Sequence, residues 1–311
     1  MKKFKNILFV SQGLSNHSDS IGQALRLSYN NKAPLKGMIF CPPLPVNLAQ
    51  YQSSYENSLI HNVSEHIKDS RDTHNIAEDD VSFPLEVVSG EKPAINIIRA
   101  VHKGEHDLLI KDAEPLDDDG EGFKAIDMTL LRKCPSPVWL NRASNKPRNK
   151  RRVAVAIDPI IASDEHRGLC MRLMELSRSI ADSCDSRLHV LSCWEYQLER
   201  YLDSHAWIKI GDKELNAEIE KAKVEHKEAL DHLINESGVS GEIIVHHLHG
   251  LPDDVIPHWV DEHEIDILVM GTLARTGIPG FVIGNTAENI VRSVTCSLVA
   301  LKPKGFVTPF V

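Results

Sequence analysis

The stretch with most chemical character is Met270-Gly-Thr-Leu-Ala-Arg-Thr-Gly-Ile-Pro-Gly-Phe-Val-Ile-Gly-Asn-Thr-Ala-Glu-Asn289, where glycines at 271, 277, 280 and 284 lead from a strand pattern into a helical one. Glycine lets the backbone approach a bound group closely. Amides at a helix start, with the positive end of its dipole, suit phosphate oxygens. Arg275 adds charge to the same loop. A second reading stays open: the glycines shape a turn, and Asn285 with Glu288 forms a capping box whose side chains satisfy those amides. Asp158, closing the apolar run Arg152-Val-Ala-Val-Ala-Ile-Asp158, stands equally for ligand contact or for a hydrogen bond within its own loop.

Histidines 246, 247 and 249 invite a metal reading, because imidazole is a common zinc ligand. Strand alternation puts 246 and 247 on opposite faces, and no Cys or carboxylate stands beside them at ligand spacing, so no metal is expected. His258 and His263, five apart, do not share a helix face and read as solvated. There is no HExxH, GxSxG or Walker loop. Ser11-Gln-Gly-Leu-Ser-Asn-His-Ser18 lacks the second glycine of a pyrophosphatase loop, and no HxGH pair follows either strand-one pattern. No catalytic residues are assigned.

The elements that must position these residues come in duplicate. Asn6-Ile-Leu-Phe-Val-Ser11 returns about 146 residues later as Arg152–Pro159. Further strand patterns pair off as 35–41 with 187–192, 85–89 with 242–246, 106–110 with 265–270, and 137–140 with 297–301. Helical patterns separate them, including 52–71 and 213–236, and Leu169, Leu173, Leu176 and Ile180 recur at helical spacing behind Ser163. Each half is therefore a βαβαβαβαβ unit, and the chain an α/β protein of two tandem five-stranded parallel-sheet, Rossmann-like domains. The halves are expected at 1–142 and 152–305, joined by an exposed basic linker at 143–151, and together forming an intrachain pseudo-dimer.

The 311 residues suit two domains, with 42% hydrophobic and 25% charged residues in the range of globular proteins. The net charge of −9 argues against a broad nucleic-acid surface. The apolar start at residues 4–10 is too short for a secretory h-region, no run reaches transmembrane length, and the six cysteines form no CxxC pair. These features point to a cytoplasmic protein away from membranes.

The duplicated unit, the glycine loop after strand four, the Gly284-Asn-Thr-Ala-Glu288 helix start and Leu130-Leu-Arg-Lys-Cys-Pro135 resemble the universal stress protein family in its tandem form. That family's nucleotide loop reads G-x2-G-x9-G-(S/T). Gly271 and Gly284 hold its first and last glycine positions, Ala274 replaces the middle one, and Asn285 replaces Ser/Thr. The resemblance implies an adenine nucleotide such as ATP, with Asp158 and Val190 (of Leu188-His-Val190) beside the base and Met270 and Gly271 near the ribose. It places Ala274, Arg275, Gly284, Asn285, Thr286 and Ala287 near the phosphates. The first half, with Gln12 in place of the aspartate and the acidic loop Lys111–Phe123 after strand four, is expected to repel phosphate. The implied role is stress resistance through ligand binding without turnover. Slow ATP hydrolysis would have Arg275 as its charge stabiliser. The alternative is a decayed site acting as a protein-interaction scaffold or holding a lipid-like ligand, and a homodimer through the last strands stays open.

Overall fold

A computed structural model describes residues 4–13, 19–115, 120–199, 211–272 and 283–310. The chain divides into two compact units. Among the described residues, one comprises 4–145 with 283 and 297–310, and the other 146–272 with 284–296.

In the first unit, strands β1 (Ile7–Ser11), β2 (Leu35–Cys41), β3 (Leu85–Ser89), β4 (Leu108–Asp112) and β5 (Val138–Asn141) run parallel in the order β3-β2-β1-β4-β5. Helices α1 (Ser20–Asn31), α2 (Gln52–His74), α3 (Pro93–Lys103) and α4 (Ala125–Lys133) connect them. Residues 7–10, 108–110 and 138–140 are all buried, as strands covered on both faces require. Each buried Leu, Ile or Phe there contributes about 1.5–3 kcal/mol.

The second unit repeats the plan with β6 (Val153–Ala156), α5 (Asp164–Ser183), β7 (Leu188–Trp194), α6 (Asp212–Glu236), β8 (Ile243–His249), α7 (Pro252–Glu262), β9 (Ile267–Gly271) and α8 (Asn285–Ser293). Its strands run parallel in the order β9-β6-β7-β8. Ser163 caps α5 by accepting from the His166 amide at 3.2 Å, and the predicted stripe Leu169, Leu173, Leu176 and Ile180 is buried. Gly250 joins β8 to α7 at φ +128°, where a Cβ would stand 2.8 Å from Val255 Cγ2, so this turn requires glycine. These are the two α/β, Rossmann-like halves that the internal repeat implied.

Two further segments complete the architecture. The final strand, β10 (Ser297–Leu301), read from sequence as part of the second half, clusters with the first unit. There it lies antiparallel to β5, with Leu298 opposite Leu140 and Ala300 opposite Val138, and Ser297 Oγ accepts from the Arg142 amide at 3.0 Å. The basic 143–151 segment is mostly exposed, and two of its side chains are held. Lys146 Nζ donates to Glu264 O at 2.9 Å, and Arg151 is buried with its Nε directed at Lys146 O. Among the described residues, no helix is long and apolar enough to cross a membrane.

Candidate functional site

Parallel pairing of β6 with β9 sets Ala156 opposite Met270, which brings the loop carrying Asp158 beside the end of β9. Beyond β9 the chain returns at Gly284, whose amide donates to the carbonyl of fully buried Thr272 at 3.0 Å. That bond anchors the start of α8 against the carboxyl end of β9, where open parallel sheets receive ligands. The N-cap of α8 is Gly284, not Asn285. Asn285, Thr286 and the buried Ala287 form its first turn. Glu288 Oε1 accepts from Arg292 Nη2 at 2.7 Å. Asn289 Nδ2 donates to Asp253 Oδ2 at 2.8 Å, tying α8 to the start of α7. Ala274 and Arg275 lie outside the described residues.

The other candidates separate. Asp158 Oδ1 accepts from the Ile160 amide at 3.1 Å, the loop hydrogen bond that the sequence left open. A Cβ at Gly271 would lie 3.0 Å from Leu169 Cδ2, so the Leu169 side chain on α5 would have to give by a few tenths of an ångström. Val190 does not reach the site. It is fully buried opposite Val155 in mid-sheet, four residues short of the end of β7. Its face is also wrong. His189 contacts His246 and Trp259 of α7, and pairing of Ala154 with both His189 and Leu268 puts His189 and Met270 on one face and Val190 on the other.

The same alternation supplies a residue that sequence reasoning missed. Cys193 shares the face of His189 and Met270 and lies near the carboxyl end of β7. Ser192 Oγ donates to Ile157 O at 2.9 Å, and the Ile157 amide to Leu191 O at 2.9 Å, which fixes this end of β7 beside the Asp158 loop. Cys193 is the one cysteine of the six that is not fully buried, and burial still pushes its thiol up to about 12. The signal was the length of β7: the Leu-His-Val triplet starts the strand, and the position at the sheet edge comes three residues later.

His246 and His247 fall on opposite faces of β8, as alternation predicted, and each finds an imidazole partner, whereas His249 Nε2 lies 2.9 Å from Glu199 Oε2. His246 Nε2 lies 3.0 Å from His189 Nδ1, with its ring centroid 4.4 Å from that of Trp259. His247 Nε2 lies 2.9 Å from His226 Nδ1 on α6. Burial, reinforced by the neighbouring imidazoles, lowers both His246 and His247 to about 4. His263 is not simply solvated, because it stacks on Trp259 at 4.0 Å. Among the described residues, no group of three or more His, Cys, Asp or Glu could hold a metal ion.

The first unit's loop after β4 was expected to repel phosphate through exposed acids. In the described part it is folded onto α4. Asp127 is fully buried and takes Lys111 Nζ at 2.8 Å and the Glu114 amide at 2.6 Å. Burial raises the Asp127 carboxyl, and the Lys111 charge pulls it back down. Glu114 Oε2 accepts from the amides of Ile126 and Asp127 at 2.9 and 3.3 Å.

Comparison with known proteins agrees with this architecture. Residues 150–302 match the model of the universal stress protein family. Universal stress protein E of Photorhabdus laumondii is 25% identical over 99% of this chain and 98% of its own. The Escherichia coli K12 protein of the same name is 30% identical over 74% of this chain and 71% of its own. Among solved structures, a functionally unknown protein from Pseudomonas aeruginosa PAO1 superposes with a TM-score of 0.70 at 20% identity, covering 98% of this chain and 95% of its own. A universal stress protein from Archaeoglobus fulgidus gives a TM-score of 0.60 at 15% identity, covering 95% and 98%, and the two establish the shared fold. The chain belongs to the universal stress protein family and is a tandem member of the universal stress protein E type.

Proposed function

We propose that the second unit binds an adenine nucleotide, and that the protein serves stress resistance through this binding without turnover. The observation that carries the reading is the start of α8: it is bound to the end of β9 through Gly284 N and Thr272 O, and its N-cap is a glycine. Backbone amides of Asn285, Thr286 and Ala287 would receive phosphate oxygens, and Gly284 would leave them room to approach. Met270 and Gly271 would border the ribose. Asp158 would meet the base with Cys193, which replaces Val190 in this role because it has the right face and depth. Ala274 and Arg275 would complete the phosphate loop. Metal ligands are not part of the reading.

Thiol protection tests it. With five of the six cysteines buried, maleimide labelling read by mass spectrometry should modify Cys193 first. ATP, ADP, AMP or adenosine should slow that labelling if the base sits against β7. Binding without protection removes Cys193 from the site, and absence of binding by all four removes the nucleotide reading. Exposed Ile160, Ile161 and Leu198, which follow β6 and β7, favour the second reading of an apolar ligand or protein partner. Native mass spectrometry of the purified protein, followed by identification of any released small molecule, decides between the two.

A further inference from the structure

Corresponding helices follow strand four in the two units. In the second, the helix following strand four begins at Gly284. In the first, α4 begins under the carboxylate of Glu114, which accepts from two successive amides, Ile126 at 2.9 Å and Asp127 at 3.3 Å. A carboxylate on helix-start amides satisfies the same donors and the same dipole that would hold a phosphate.

Glu114 is fixed there from both ends. Its own amide donates to Asp127 Oδ2 at 2.6 Å, while Asp127 Oδ1 takes Lys111 Nζ at 2.8 Å. The Lys111 and Asp127 side chains are only 4% and 0% exposed, so the pair forms a buried base under the loop. Lys111 Nζ also donates to Asp112 O at 2.7 Å, and Ala113 N to Asn141 O at 2.8 Å, which tie the segment entering Glu114 to the sheet edge.

We propose that Glu114 is an intramolecular anion that keeps the first unit's strand-four cradle closed. The closure works by occupancy: the carboxylate takes the place that an external anion would need. It stands whether or not the second unit holds a nucleotide.

Hydrogen–deuterium exchange of peptides covering residues 120–133, in inorganic phosphate and in chloride at equal ionic strength, tests this. In the wild type, phosphate should leave exchange unchanged. In Glu114→Ala, exchange at Ile126 and Asp127 should rise by about tenfold, and phosphate should restore the protection. Glu114→Asp keeps the charge but draws the carboxylate back by one methylene, so it too should become phosphate-responsive. If Glu114→Ala fails to fold by circular dichroism, the Asp variant carries the test. A response in the wild type equal to that of the variants overturns the proposal, and so does a response in neither. A response in Ala but not in a folded Asp variant also overturns it, because charge repulsion and not occupancy would then explain the closure.

Discussion

Acid should weaken the second unit through β8, and the size of the effect follows from its two imidazole pairs. His246 and His247 are lowered from 6.5 to about 4 in the folded protein. For each, burial is the largest cause. His189 and His263 add to it for His246, and His226, Lys227 and Lys223 for His247, with Asp231 opposing. The unfolded chain takes up protons at these rings first, so it binds more protons than the folded chain between pH 6.5 and about 4. Stability is therefore complete above pH 6.5 and falls as the pH drops through that window. By pH 5 the full shift would remove about 2 kcal/mol per ring, and water access to these part-exposed rings reduces that to about 1 kcal/mol. Urea unfolding followed by tryptophan emission at pH 7.5 and pH 5 should show the loss, together with early hydrogen exchange in β8. His246→Asn combined with His247→Asn should flatten the profile by about 2 kcal/mol. Parallel profiles for the wild type and the folded double variant would refute the reasoning.

Three other outcomes are expected. Gly284→Val should weaken nucleotide binding by at least about tenfold with unchanged far-ultraviolet circular dichroism, since φ −63° and ψ 145° suit any residue there; full affinity in titration calorimetry would exclude the α8 start as the phosphate site. Gly271→Ala should cost about 1–3 kcal/mol in thermal unfolding because its Cβ would press on Leu169, and Leu169→Ala should absorb part of that cost in the double variant. Lys111→Met should destabilise the first unit by about 3–5 kcal/mol by leaving the buried Asp127 without its countercharge, whereas Lys111→Met with Asp127→Leu should recover most of the loss.

Most strands were legible because their burial is written locally. Runs such as Ile7–Val10 and Ile267–Met270 are apolar throughout, and the duplication fixed their order. Alternation alone separated His246 from His247. It could not find their partners, which lie 57 and 21 residues away in sequence. Val190 was misplaced because a triplet match says nothing of depth, and β7 runs on to Trp194. Asn285 was one candidate for the cap, and the break from extended to helical backbone falls one residue earlier, at Gly284. The acids after β4 looked repulsive because their charge is visible in sequence. The amides of Ile126 and Asp127 that receive Glu114 come from a helix 12 and 13 residues further on.

The placement of β10 has a consequence for how the molecule is made. The first unit cannot finish assembling from its own N-terminal portion, since the strand bonded to β5 is Ser297–Leu301. Lys302 Nζ then donates to Leu131 O at the carboxyl end of α4, and the Phe310 carbonyl receives Arg99 Nε. During synthesis the edge at Val138–Asn141 stays unpaired by this strand while residues 146–296 are produced, an interval in which an open strand edge invites pairing with another chain. A fragment ending at residue 145 should therefore associate with itself, and a peptide carrying residues 296–310 should suppress that association by taking the empty place beside β5.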